Sequence, residues 1–187
     1  GLAIVEKFAA EGATVYVLDF NQENGQEITE KLKAENHDVI FKQTDVSNQA
    51  QVNEVIGGIS GEIDVLINGG GVIINMASIA ATVGIPDRFA YSMSKGAVLN
   101  MTLTIARDYV KDNIRCNAIS PARVHTPFVD NYISKTYPGK EKEMFELLSA
   151  TQPIGRMAAP EEIASMAFFL ASDEAKFLTG ADYLVDG

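Results

Sequence analysis

A tyrosine and a lysine four residues apart, Tyr91 and Lys95, are the side chains of this sequence whose types and spacing point most directly to chemistry. On a helix, residues four apart lie on one face, so the phenol and the ammonium would point at the same region of space. A fixed ammonium stabilises a neighbouring phenolate, which suits a tyrosine that exchanges a proton with a substrate. Ser78, thirteen positions before Tyr91, could add a hydrogen bond to the reacting oxygen. The spacing therefore predicts a general acid/base site.

A Tyr-x-x-x-Lys pair alone is a weak signal, because tyrosine and lysine at this spacing are common on solvated helix faces. An ordinary exposed helix is therefore the alternative interpretation of Tyr91 and Lys95. Which of these two interpretations holds depends on the helices and strands that would position Tyr91 and Lys95.

Composition limits the class of protein. The chain has 187 residues, 47% of them hydrophobic, and a formal net charge of -10. This size predicts one domain with a substantial core, and the negative charge argues against a nucleic-acid partner. The single cysteine, Cys116, excludes an intrachain disulfide and fits the reducing cytoplasm. We expect a cytoplasmic protein with no membrane partner and no metal site.

Apolar patterning alternates between helical and strand-like segments along the whole chain. The helical segments are 2–11, 23–35, a third that carries Val52, Ile56 and Ile59, and 89–110; the strand-like runs are 14–18, 39–41, 65–67, 72–74, 114–119 and 183–185. Apolar strands separated by amphipathic helices predict an α/β fold, a doubly wound parallel sheet of the Rossmann type covered by helices.

Ligands bind at the carboxyl ends of the strands in such a sheet, so the polar residues that follow the strands are candidate site residues. Asp19 ends one strand, and it would hydrogen-bond an adenosine ribose if Gly1 were the tail of a glycine-rich turn. Its carboxylate would also repel the extra phosphate of NADP, which favours NAD. Asp45 and Asn68 follow two later strands. The alternative for each is local backbone hydrogen bonding in a turn or a cap.

Several motifs, in this order and spacing, resemble the short-chain dehydrogenase/reductase family. They are Gly1-Leu2-Ala3, Asp19, Thr44-Asp45-Val46, the run from Asp64 to Asn68, Ile74 to Ser78, Tyr91 to Lys95, Asn117 to Pro121, Pro153 to Arg156 with Glu161 to Ala164, and Leu178-Thr179-Gly180 to Gly187. The resemblance covers essentially the whole chain.

The resemblance implies catalytic roles for three residues. Tyr91 would be the acid/base, Lys95 would bind the nicotinamide ribose and stabilise the phenolate, and Ser78 would orient the substrate carbonyl. The implied reaction is a reversible hydride transfer between NAD and a secondary alcohol or ketone.

The resemblance also implies cofactor contacts. Gly1, Asp19, Asp45, Val46, Asn68, Tyr91, Lys95, Pro121, Val124 and Thr126 match cofactor-binding positions. Ala122 stands where the family usually has glycine, so we expect that this position does not require a positive φ. His125 lies in the same loop, where it could reach the substrate or be an incidental polar residue.

One departure from the family lies between Asn68 and Val72. Two parallel strands need a connection of about a dozen residues or more, usually with a helix. Only Gly69, Gly70 and Gly71 are present here, and the family's helix with a further catalytic asparagine has no counterpart. We therefore expect a break between residues 68 and 69, and a missing first strand before Gly1.

Residues 127–159, hereafter the covering segment, contain two predicted helices joined by Pro138-Gly139, and they would form a mobile cover over the substrate. The family resemblance favours a sugar or a related hydroxy compound and a homotetramer. A 3-oxoacyl-thioester reductase of the same family is one alternative function, and a dinucleotide-binding protein without turnover is another.

Overall fold

A computed structural model describes residues 1–45, 48–59, 65–66 (backbone only) and 71–187. The chain divides into two compact units, residues 1–62 and 63–187. The helices are α1 (Leu2–Ala10), α2 (Gln22–Ala34), α3 (Gln49–Gly57), α4 (Phe89–Asp108), α5 (Pro127–Thr136), α6 (Glu141–Ala150) and α7 (Pro160–Ala171). The strands are β1 (Val15–Asp19), β2 (Val39–Gln43), β3 (Val65–Leu66), β4 (Val72–Met76), β5 (Arg115–Pro121) and β6 (Asp182–Val185).

The first unit is a two-stranded parallel sheet with helices. Strands β1 and β2 pair from Val15 with Val39 to Asp19 with Gln43. The core of this unit is formed by buried Ala9, Leu32 and Val39, with Val5, Val15, Val17 and Ile28 packed around them. Gly25 lies in the middle of α2 because a Cβ there would collide with the ring of Phe41 on β2. That glycine allows α2 to lie close against the sheet.

The second unit is a four-stranded parallel sheet in the order β3-β4-β5-β6. Strand β4 pairs with β5 from Val72 with Arg115 to Met76 with Ile119, so the two strands begin together and β5 continues two residues further, to Pro121. Ile73, Ala106 and Cys116 are buried in one cluster, which packs α4 against β4 and β5. The helix that carries Tyr91 and Lys95 is therefore fixed on the central strands of its sheet.

The predicted parallel α/β fold is confirmed, since all described strand pairs are parallel and helices alternate with strands. The predicted bounds of these helices and strands differ from the observed ones by no more than two residues at either end. Ala122 is not among the described residues with a positive φ, so the expectation for this position is confirmed. None of the described helices has the length and apolarity needed to cross a membrane.

The predicted break between residues 68 and 69 lies outside the described residues and stays a prediction, as does a single domain over 1–187. Strands β3 and β4 pair in parallel, with Val65 beside Val72 and Leu66 beside Ile73. Only residues 67–71 separate them in sequence, which is short for a parallel connection.

Candidate active site

The amino-terminal part of α4 places Lys95 between Tyr91 and the end of β4. The Lys95 ammonium lies 5.9 Å from the centroid of the Tyr91 ring. Its Nζ also donates a hydrogen bond to the carbonyl oxygen of Met76, at 2.7 Å. An ammonium has three N–H donors, so this bond fixes Lys95 and leaves it able to donate to a ligand as well. The helix spacing of four residues thus brings the phenol and the ammonium together, as predicted.

Ser78 lies two residues beyond β4, at the start of a short 3₁₀ turn that spans Ile79–Ala81. Its side chain is buried at 7% exposure, and its Oγ accepts a hydrogen bond from the Ala80 N–H at 3.2 Å. The hydroxyl proton can still be donated to another acceptor. Tyr91, in contrast, is 47% exposed, so its side chain can be reached from solvent. The structure therefore places Ser78 and Met76, the acceptor for Lys95, at the same strand end.

A buried polar contact that sequence reasoning missed anchors α4 to the sheet. The Asn75 Nδ2 on β4 donates to Thr102 Oγ1 on α4 at 2.9 Å and contacts Cys116 Sγ on β5 at 3.6 Å. Asn75 is 3% exposed, and Thr102 and Cys116 are fully buried. Burial raises the pKa of the Cys116 thiol to about 11, so it stays protonated and unreactive near neutral pH. The contact fixes the position of α4 along β4, and thus of Lys95.

The residues around Tyr91 on α4 also line an open depression of about 850 Å³. Its lining residues are Gly84, Ile85, Asp87, Phe89, Ala90, Ser92 and Met93. Ser92 Oγ is buried without a hydrogen-bond partner among the described residues. None of these residues was predicted as a site residue, because their neighbourhood depends on the path of the loop before α4.

In the first unit, Asp19 and Asp45 lie at the carboxyl edge of the two-stranded sheet. Asp19 is exposed at the end of β1, where its Oδ1 accepts the Asn21 N–H at 2.8 Å. The Thr44 N–H donates to the Asp19 carbonyl at 2.9 Å, which holds the ends of β1 and β2 together. Asp45 follows, with its N–H bonded to the side chain of Gln51. Gly1 is exposed at the amino end of α1, and Val46 lies outside the described residues.

Three further predicted cofactor residues lie at the end of β5 or just after it, in the second unit. Pro121 ends β5, Val124 forms an isolated parallel bridge with Ala158, and Thr126 is the N-cap residue of α5. Asn68 lies outside the described residues. The structure thus places Pro121, Val124 and Thr126 in one loop at the carboxyl end of β5, whereas their cofactor roles stay predictions.

The end of the covering segment is fixed by an ion pair that sequence reasoning did not predict. Both Arg156 guanidinium Nη atoms bond the Glu162 carboxylate, at 2.7 and 2.8 Å. Glu162 Oε2 also accepts the Ala159 N–H at 2.8 Å, at the start of α7. The Arg156 hydrogen bonds, followed by the Ala159 bond, lower the pKa of Glu162 to about 2. The available signal was a glutamate at the third position of a helix that begins with proline.

Comparison with known proteins matches the whole chain to one family. A model described as short chain dehydrogenase matches residues 1–72, and one described as Enoyl-(Acyl carrier protein) reductase matches residues 58–187. A 2-keto-3-deoxy-L-fuconate dehydrogenase of Xanthomonas campestris pv. campestris is 41% identical over 123 residues, 65% of this chain and 41% of that protein. The aligned part of the chain thus spans about two fifths of the length of that relative.

Two further comparisons extend over the full chain. An uncharacterized oxidoreductase of Bacillus subtilis is 30% identical over 237 aligned positions, which include 100% of this chain and 85% of that protein. The L-sorbose reductase of Gluconobacter frateurii, solved with NADPH and L-sorbose, is 26% identical with a TM-score of 0.90 and covers 100% of this chain and 90% of that chain. The parallel α/β fold of the chain is thus the fold expected from the family models that match its sequence. This chain belongs to the short-chain dehydrogenase/reductase family.

Proposed function

We propose that this protein is an NAD-dependent oxidoreductase that interconverts a secondary alcohol and a ketone, with a sugar or a related hydroxy compound as substrate. The observation that carries the proposal is the position of Lys95, whose ammonium contacts the Tyr91 ring face and the Met76 carbonyl at the end of β4. The Met76 bond holds the ammonium on the helix face that also carries the Tyr91 phenol, which is the arrangement that the proposed acid/base role requires.

In the proposed mechanism, each residue has one role. Tyr91 Oη takes the hydroxyl proton of the substrate in oxidation and returns a proton to the carbonyl oxygen in reduction. Ser78 donates a hydrogen bond to that oxygen, and Lys95 stabilises the phenolate. A bound nicotinamide dinucleotide would accept or supply the hydride at the carbinol carbon.

The residues of the chain fit a nicotinamide dinucleotide. Gly1 is the N-cap residue of α1, and a phosphate would bind at the amino end of that helix. Asp19 is exposed at the end of β1 and uses Oδ1 for Asn21, while a carboxylate has a second oxygen that can accept from a ribose hydroxyl. We propose that the adenosine half of the cofactor contacts Asp45, Val46 and Asn68. The nicotinamide half would contact Lys95, Pro121, Val124 and Thr126.

Two observations support the substrate class. The relatives include a protein named for a deoxy sugar acid and one solved with L-sorbose. The half-exposed Tyr91 is open to a small polar substrate.

A 3-oxoacyl-thioester reductase of the same family is the second candidate function. The description of the family model that matches residues 58–187, Enoyl-(Acyl carrier protein) reductase, supports a thioester as the class of substrate, although it names reduction of a double bond and not of a ketone. Asp19 argues against this candidate, because such thioester reductases usually use NADP and the Asp19 carboxylate would repel the extra phosphate of NADP.

The test incubates the full-length protein with NAD and xylitol, sorbitol or cyclohexanol, and with NADH or NADPH and L-sorbose or acetoacetyl-CoA. Absorbance of the reduced nicotinamide follows turnover. We expect oxidation of a polyol with NAD, or reduction of L-sorbose with NADH. Turnover of acetoacetyl-CoA alone would establish the second candidate, and binding of NAD without any turnover would contradict the enzyme assignment.

A further inference from the structure

The loop that leads into the covering segment is paired with the chain that leaves it. The His125 N–H donates to the Ala158 carbonyl and the Ala158 N–H donates to the Arg123 carbonyl, both at 2.9 Å. The Arg123 Nε also donates to Thr151 Oγ1 at 3.0 Å, just after α6. We call residues 123–125 and Ala158 the stem. These bonds fix the backbone of His125 at the base of the covering segment.

The side chain of His125 links this stem to both helices of the covering segment. Its Nε2 lies 2.8 Å from Asp130 Oδ1 in the first turn of α5. Because an ionised carboxylate can only accept, Nε2 carries the proton of this bond. The imidazole ring also meets the Phe145 ring of α6 edge-on, with 5.0 Å between centroids and an interplanar angle of 78°. One side chain of the stem therefore contacts both α5 and α6.

We propose that His125 is a positioning residue that holds α6 against the start of α5 and so keeps the covering segment in place over the substrate. The bond to Asp130 orients the imidazole, and the ring contact with Phe145 transmits that orientation to α6. The pair is accessible, with side-chain exposures of 45% for His125 and 59% for Asp130. Such a contact is weak enough to open and close, which suits a cover that must admit a substrate.

Hydrogen exchange of the free protein tests this role without a ligand. In His125→Ala we expect the amides of α6 to exchange about fivefold faster, which corresponds to the loss of one edge-to-face aromatic contact. The amides of α4 and α7 should keep their wild-type rates. Unchanged exchange in α6, or an equal increase in α4 and α7, would overturn the proposal.

Matched variants separate the two contacts. His125→Phe keeps a ring against Phe145 and loses the bond to Asp130, whereas His125→Gln keeps a donor and loses the ring. Each should restore part of the protection lost in His125→Ala. Phe145→Leu removes the ring contact and keeps the bond to Asp130, so its α6 amides should exchange as in His125→Gln. The double variant His125→Ala/Phe145→Leu should exchange no faster than His125→Ala. His37→Ala, at the other histidine of the chain and 4.0 Å from Glu35 in the first unit, should leave α6 unchanged.

The purpose of the cover rests on the proposed function, so kinetics form the second measurement. With xylitol and NAD, His125→Ala should raise KM about fivefold while kcat changes less than twofold, because the cover contributes to binding and not to proton transfer. A fall in kcat with unchanged KM would contradict a positioning role. If the wild type turns over no polyol, ketose or thioester, the proposed function fails, and the exchange rates still decide what His125 does.

Discussion

The Lys95 side chain contacts both the proposed acid/base residue, Tyr91, and the end of β4. Its ammonium lies 5.9 Å from the Tyr91 ring centroid and bonds the Met76 carbonyl at 2.7 Å. The bond restrains a long side chain that would otherwise sample many rotamers. A restrained charge costs less reorganisation during the reaction than a mobile one.

The predicted preference for NAD over NADP rests on Asp19. In Asp19→Ser, loss of the negative charge should raise the ratio of kcat/KM for NADP to that for NAD by about tenfold, because a carboxylate repels the extra phosphate. Steady-state kinetics with both cofactors measure the ratio.

Asp38→Ser is the control for Asp19→Ser. Asp38 also carries a carboxylate and bonds Thr14 Oγ1 at 2.7 Å, but it lies just before β2, at the opposite edge of the strands. The control should leave the ratio unchanged. An unchanged ratio in Asp19→Ser would contradict the ribose role.

At the level of residues, local contacts could be predicted and distant ones could not. The Tyr91 and Lys95 pair follows from helix spacing alone. In contrast, Asn75 meets Thr102 and Cys116 only because β4, α4 and β5 pack together. The contact between His125 and Phe145 likewise depends on how two helices fold back on the stem. Sequence spacing carries no information on such pairs.

Among the elements, α4 has the clearest link to the proposed site. It begins at Phe89, two residues before Tyr91, and is anchored further along at Thr102 by a buried bond to Asn75. Its end at Asp108 is followed by a short 3₁₀ turn that leads to β5. The site residues Tyr91 and Lys95 therefore lie on a helix that is held at several points by the sheet.

The start of α7 should depend on pH through Glu162. Its pKa is lowered to about 2 from a usual value of 4.5, so its stabilising effect is present above pH 4.5 and is lost as the pH falls through about 2. Glu162→Gln should lower Tm by about 1 °C near neutral pH, because an exposed ion pair contributes little, and the difference from the wild type should shrink on acidification. Thermal unfolding followed by circular dichroism between pH 2 and 7 measures this difference.

Glu161→Gln removes the same charge from the same helix turn and is the control. It should change Tm less than Glu162→Gln does, since Glu162 makes the bonds to Arg156 and to the Ala159 N–H. A Tm difference for Glu162→Gln that does not vary with pH would contradict the electrostatic account.

Helices and strands themselves were largely predictable, because their apolar periods of 3.6 and 2 residues are local properties. The predicted helix 89–110 corresponds to α4 (Phe89–Asp108), and the run 114–119 to β5 (Arg115–Pro121). The bounds were less predictable, since hydrogen bonds to neighbouring elements extend or shorten an end. Strand β2, for example, continues to Gln43 because it pairs with β1 as far as Asp19.

At the scale of the whole molecule, length is the main difference from the relatives. The alignment with the Bacillus subtilis oxidoreductase spans 237 positions, although this chain has 187 residues, so that relative has residues without a counterpart here. The predicted break between residues 68 and 69 stays a prediction, and a peptide map of the purified protein would test it.

Assembly and location stay predictions at this scale. A homotetramer was predicted from the family, partly through α4. Phe89, Met93 and Met101 recur on this helix at spacings of four and eight residues and are 83%, 63% and 47% exposed. A cytoplasmic location likewise stays a prediction.

The most direct test of the central claim is turnover by Tyr91→Phe in the full-length protein, compared with Tyr109→Phe. Tyr109 follows the same helix and is 50% exposed, so it is a matched control. The account predicts that Tyr91→Phe binds NAD like the wild type and loses at least about a hundredfold in kcat, because the proton acceptor is gone. Tyr109→Phe should keep its activity. Wild-type kcat in Tyr91→Phe would contradict the account.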